Sequence, residues 1–198
     1  MARTARVIAI GVAISTLVGA GSLGAAIAQT DTPNEKVILR VGTPGDIVSP
    51  NPFKACCAYE YEMMFMAYDM LFNFGQKDLA PVPGLATKCT PSSDNMTWTC
   101  DIRSGVKWSD GQPLTAADIA FTYNFQLDNG LAAFKNYLPF HPKFTAPDAT
   151  TLVWKSEEPT FAPNVPPWVP IIPEHVWAKY DGESPKDIKA VPNVPAVG

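Results

Sequence analysis

The chain has little histidine, little charge and none of the common catalytic motifs. Only two histidines occur in 198 residues: His141, between Phe140 and Pro142, and His175, after Glu174. Neither has a second histidine one helical turn away, so metalloprotease and zinc-site patterns are missing. There is no G-x-S-x-G elbow and no G-x-x-x-x-G-K-S/T loop, which removes serine-hydrolase and P-loop chemistry. Charged residues make up 17% and the net charge is −4. Without a basic excess, a nucleic-acid partner is disfavoured, because phosphate binding needs a basic face. The carboxylate pairs available for acid–base work are Glu60/Glu62 and Glu157/Glu158. Neighbouring side chains diverge, so these read as solvated surface charge. No reaction centre assembles, and the sequence implies no enzyme, cofactor or metal.

What is present begins with an export segment. Arg3 and Arg6 form a basic start, Val7 to about Val18 is apolar, and Ala26-Ile27-Ala28 is an A-x-A cleavage site. Residues 1–28 are therefore expected to be a cleavable signal peptide, with Gln29 as the mature start. The other reading is a retained membrane anchor, for which Gly19, Gly21, Ser22 and Gly24 make a poor span. The arginines are not adjacent, so a twin-arginine signal is not supported, and no cysteine precedes Cys56 to carry a lipid anchor. Gly19 to Gly24 matches G-x-G-x-x-G, but it lies where cleavage removes it and lacks a βαβ context. About 170 residues then remain, room for one ordinary domain. Hydrophobic residues at 46% permit a core, and 20 prolines argue against a helical bundle.

The four cysteines allow three full pairings. Trp98, Cys100 and Ile102 alternate with Thr97, Thr99 and Asp101, the pattern of a half-buried strand. Ser92-Ser93-Asp94-Asn95 is turn chemistry. A hairpin closed by a four-residue loop at Ser93–Met96 sets Cys89 opposite Cys100, within reach of a disulfide. A Cys89–Cys100 bridge is expected. A bridge between Cys56 and Cys57 is possible but strained, and vicinal cysteines suit no tetrahedral ion. Asn95-Met96-Thr97 is a glycosylation sequon, relevant only in a host that glycosylates.

Elsewhere, Val37–Val41 reads as a strand and Asp46 to Pro52 as a loop held extended by two prolines. Ala55 to about Leu71 has helical length. Tyr59, Met63, Met66 and Met70 form one apolar stripe, and Met64, Tyr68 and Leu71 a second, which predicts a helix buried on two sides. Packing accounts for the methionines better than a promiscuous binding surface does. Leu71–Phe74 is a short strand and Ala80–Gly84 a proline-rich crossing. Thr115 and Asp118 form a capping box opening a helix, with Leu114 and Ile119 as its staple and Asp128-Asn129-Gly130 as its stop. Ala146-Pro147-Asp148 reads as a turn and Leu152–Trp154 as a strand. Six prolines between Pro159 and Pro173 indicate an extended segment over the sheet, anchored by Phe161, Trp168, Ile171 and Ile172, rather than a polyproline ligand. Pro173 to Trp177 begins a short helix.

Several stretches resemble the family 5 solute-binding proteins, the peptide/dipeptide-binding components of ABC transporters. Thr97 to Gly111, TWTCDIRSGVKWSDG, is similar to the family's "LTYTFHLR-x-GVKWSDG", and Pro113 to Phe121, PLTAADIAF, to its "PLTAEDVVF". Gly84-Leu-Ala-Thr-Lys-Cys89 resembles "LA-x-x-W", with Cys89 where an aromatic is usual. Weaker similarity links Val41–Pro52 to a loop ending "S-L-D-P" and Ile172–Trp177 to "I-P-K-H-V-W". The resemblance implies an α+β (mixed α/β) fold, the N-terminal part of a periplasmic-binding-protein-like class II clamp. It implies a first strand of the main lobe over 29–45, an accessory subdomain over 46–190 and a return to the main lobe over 191–198. Members run to several hundred residues, so the chain is expected to be an N-terminal fragment.

The resemblance also implies a function: extracytoplasmic or periplasmic capture of peptides or similar small solutes for ABC permease subunits, by a monomer. Relatives also take sugars, nickel complexes or opines. On the ligand side it places Asp46, Ile47 and Val48. Asp46 either meets a ligand ammonium or merely turns the loop, and Ile47 or Val48 offers backbone groups. Trp108 is expected in the core rather than as a ligand platform. The rival reading is a secreted, disulfide-stapled interaction or cell-wall-binding module acting alone.

Overall fold

In the computed structural model the described residues are 40, 42–55, 57–131, 142–160 and 169–198. The chain divides into two units, Met1–Val41 and Gly42–Gly198, and every described helix and strand belongs to the second. The signal peptide and the strand expected over Val37–Val41 lie outside the described residues, Arg40 excepted.

The elements run α1 (Ala58–Ala67), β1 (Phe72–Phe74), β2 (Pro81–Pro83), β3 (Ala86–Pro91), β4 (Thr97–Ile102), α2 (Ala116–Asp128), β5 (Lys143–Asp148), β6 (Thr151–Lys155), α3 (Glu174–Trp177) with a 3-10 turn Ala178–Tyr180, and α4 (Pro185–Ala190). β1 and β2 form a two-stranded antiparallel sheet. A second, four-stranded sheet has the order β3-β4-β6-β5, antiparallel throughout. The fold is mixed α/β.

The hairpin forms as its residues dictate. Ser92 donates its backbone N–H to the Thr97 carbonyl at 2.7 Å, which closes a four-residue loop over Ser93–Met96. Asn95 at its tip adopts a φ of 56°, a left-handed conformation that asparagine tolerates well. That register sets Cys89 opposite Cys100, and the two are disulfide-bonded. Cys57 is disulfide-bonded as well. β4 alternates as expected, with Trp98, Cys100 and Ile102 buried.

α2 packs on this sheet. Asp118 closes the capping box by accepting the Thr115 N–H at 2.9 Å. Its other oxygen accepts the Glu174 N–H at 3.0 Å, so one buried carboxylate ties the start of α2 to the start of α3. Leu114 and Ile119, the staple pair, are both buried, and the helix stops before Gly130, whose φ is +61°. Ile119, Ala120 and Tyr123 join Trp98, Cys100, Ile102, Phe144, Leu152 and Trp154 in the main core. Trp108 lies in that core too. Phe125 turns the other way, into a second cluster with Phe53, Met64, Tyr68, Ile172, Trp177 and Ile188. Burial pushes the Tyr123 hydroxyl well above its ordinary value.

Four expectations need correction. α1 spans Ala58–Ala67 rather than 55–71, and it is buried on one stripe only: Met64, with Tyr68 just beyond, is buried while Met66 is 65% exposed. Glu60 is not solvated charge; it is 1% exposed. Ala80–Gly84 is no mere crossing, since Pro81–Pro83 is the strand β2. Gly75 donates to the Ala80 carbonyl at 2.8 Å, so along this register Asn73↔Val82 is a hydrogen-bonded pair. Both prolines therefore fall at positions where no N–H is needed. Pro147 lies within β5, at the register shift between Thr145 and Asp148, because a bulge accepts a residue that cannot donate. In the proline-rich segment, 161–168 lie outside the described residues, while Val169, Ile171 and Ile172 are fully buried.

Three exposed turns each hold an aspartate low in pKa. Asp94 accepts from the Ser92 hydroxyl and Met96 N–H, Asp110 from Gln112 N–H and His175, and Asp148 from Thr150 N–H and the Thr151 side chain.

These contacts set three expected outcomes. Replacing Cys89 and Cys100 together by serine should cost about 3 kcal/mol, or roughly 6–12 °C in Tm, read by calorimetry. Asp118→Ala should cost about 2–4 kcal/mol by denaturant titration, since it strips one N–H from each of two helix starts. The turn aspartates have lowered folded pKa values, so their contribution is complete above the ordinary 3.8 and is lost as pH falls through the lowered values. Asp148→Asn should flatten the acid limb of stability against pH, measured by urea midpoints.

Candidate functional site

The candidate ligand loop, residues 42–52, is an extended strip whose two halves differ. Asp46 is exposed, Ile47 is 42% exposed and Val48 66%. From Ser49 to Phe53 the chain is buried except for the half-buried Pro50, with Asn51 fully so. The loop begins in a tight bend where the Thr43 hydroxyl donates to the Gly45 carbonyl at 2.7 Å. Gly45 lies against Tyr59 of α1, and a Cβ there would stand 2.8 Å from the Tyr59 hydroxyl oxygen.

Two anchors hold this strip. The first is Glu60, whose Oε1 accepts the Val48 N–H at 3.0 Å. Glu60 stands in the first turn of α1, where the partial positive charge of the helix start favours a carboxylate. The second is an amide cluster. Asn51 donates through Nδ2 to the carbonyls of Ile188 at 2.8 Å and Val191 at 2.9 Å. It thereby ties the loop to the carbonyls at the C-terminal end of α4, where Ile188 also accepts the Val191 N–H at 3.2 Å. Its Oδ1 accepts the Phe53 N–H, and its own N–H goes to the Ser49 hydroxyl. Asn193 adds two more bonds, donating at 2.8 Å to the Pro50 carbonyl and to the Tyr68 hydroxyl oxygen. Burial pushes the Tyr68 hydroxyl up and the bond from Asn193 pulls it down, with burial the larger effect.

The structure thus gathers Asp46, Ile47 and Val48 into one exposed strip, and it assigns the Val48 N–H to Glu60. The exposed side chains of the strip are the Asp46 carboxylate, Ile47 and Val48. Glu60, Asn51, Asn193 and Tyr68 were missed by sequence reasoning. Asn51 carried no signal in the sequence, because the carbonyls its side chain meets lie 137 and 140 residues away. Glu60 carried none, because a glutamate in the first turn of a helix normally faces water. Cys89 and Cys100 lie in the hairpin and belong to the scaffold. Among the described residues no group of three His, Cys, Asp or Glu could hold a metal ion, and no helix is long and apolar enough to cross a membrane.

Residues 80–194 match the model of the bacterial extracellular solute-binding proteins, family 5. The oligopeptide-binding protein OppA of Bacillus subtilis is 45% identical over 51 residues, which is 26% of this chain and 9% of that protein. The binding protein AgaA of A. tumefaciens, solved with agropinic acid, superposes with a TM-score of 0.64 at 25% identity, over 78% of this chain and 30% of that one. AppA of B. subtilis, solved with a nonapeptide, gives 0.65 at 20% identity, over 77% and 31%, and speaks to the fold alone. The chain spans about a third or less of the proteins it matches. With a family match covering more than half its length, the chain belongs to the bacterial extracellular solute-binding proteins, family 5.

Proposed function

We propose that the chain is part of the extracytoplasmic substrate-binding component of an ABC importer, capturing short peptides and delivering them to permease subunits in the membrane. It acts as a monomer and carries out no reaction of its own. Export is by residues 1–28, cut after Ala28. The observation that carries this reading is the exposed strip Asp46–Val48, anchored at its C-terminal end by Glu60 and Asn193, on a chain of this family. Peptide capture draws on the B. subtilis relative, whose name is oligopeptide-binding protein. Asp46 supplies an anionic partner for a peptide's terminal ammonium, and Ile47 and Val48 supply apolar contact beside it. In this reading residues 29–45 give a main-lobe strand, 46–190 the accessory subdomain and 191–198 the return.

The test is calorimetric titration of the protein expressed from its own gene with its export segment. Tri-alanine and penta-alanine are expected to bind, and intact mass should correspond to a start at Gln29. Binding of nickel ion or an oligosaccharide with no response to either peptide would overturn the peptide reading. Asp46→Asn should weaken tri-alanine roughly tenfold or more and leave N-acetylated tri-alanine unaffected, the scale of one charge-assisted bond. Equal affinities in the variant and the parent would instead make Asp46 a turn residue.

A further inference from the structure

We infer that Glu60 is the positioning residue of the candidate ligand loop: its buried carboxylate fixes where Asp46, Ile47 and Val48 stand. This rests on the reading of that loop as the ligand side and identifies what holds it. Glu60 is 1% exposed, whereas Glu62, two residues on, is far more open to solvent. Withdrawing a carboxylate from water is costly unless donors meet it. The Val48 N–H, twelve residues upstream, is such a donor at 3.0 Å.

The position of this bond matters more than its strength. It falls at the boundary between the exposed part of the loop and the buried part that starts at Ser49. Beyond it, Asn51 and Asn193 immobilise residues 50 and 51 on α4 and Tyr68. Before it stands the bend closed by Thr43 and Gly45. Releasing Val48 therefore frees residues 46–48 while 50–53 stay in place. A ligand would then have to order those residues itself, at the expense of affinity.

Amide hydrogen exchange on the unliganded full chain tests this directly. In Glu60→Ala the Val48 amide should exchange roughly fivefold faster or more, the loss expected for one hydrogen bond. In Glu60→Gln, whose amide oxygen still accepts, exchange should stay near the parent rate, and in Glu62→Ala it should not change. Affinity for tri-alanine should fall in Glu60→Ala and recover in Glu60→Gln. Unaltered Val48 exchange in Glu60→Ala overturns the inference. So does acceleration spread equally over β4 and α2, which is global destabilisation, and so does loop release without loss of affinity. If Glu60→Ala does not fold, Glu60→Asp replaces it, because its shorter arm cannot reach Val48. A parent protein that binds no peptide defeats the proposed function, while the exchange comparison still decides whether Glu60 holds the loop.

Discussion

The position of β4 constrains the rest of the domain. It pairs with β3 on one side and β6 on the other, and its alternate residues Trp98, Cys100 and Ile102 supply the inner face of the sheet. A slip of one residue would exchange them for Thr97, Thr99 and Asp101 and carry Cys100 away from Cys89. The disulfide therefore does more than restrict the unfolded chain. It forbids the one error that would turn the sheet inside out. Cys100 also lies opposite Leu152 on β6, so the register locked on one side is passed to the other.

From β4 the order spreads through rings. Trp98 stacks on Trp154 at 5.8 Å, nearly parallel, and Phe144 reaches Trp154 from β5. Tyr123 of α2 meets Phe144 at 4.4 Å. α2 then carries Phe125 into the second cluster, where Phe53 and Trp177 lie 5.1 Å apart edge to face. Phe53 directly follows the loop, and its N–H is held by Asn51. The exposed strip at Asp46–Val48 thus stands on a continuous path of packed side chains that begins at the sheet. It is not an appendage.

What could be read from the sequence was what is decided by near neighbours. The hairpin needs only Ser92, Asn95 and the alternation after Thr97. The capping box needs only Thr115 and Asp118. Both sit within a few residues of their partners, and both are found as read. The failures are long-range. β2 is a strand because β1 happens to present Asn73 to Val82, a pairing that leaves both prolines without an obligation to donate. Pro147 stays in β5 because a bulge opens beside it. Met66 escapes burial because nothing among the described residues covers that side of α1. In each case the local preference was real, and the tertiary partner decided whether it applied.

The same division runs through the candidate site. The loop itself was legible, since two prolines hold Asp46 to Pro52 extended. Its supports were not, because each lies far off in sequence: Glu60 is 12 residues from Val48, Asn193 is 143 from Pro50 and Ile188 is 137 from Asn51. This has a chemical consequence for recognition. A loop read alone promises backbone donors, as extended loops generally do. Once Glu60 takes the Val48 N–H, that donor is spent on the scaffold, and the exposed side chains beside it are one carboxylate and two apolar groups, so any further backbone contact must come from residues 46 and 47.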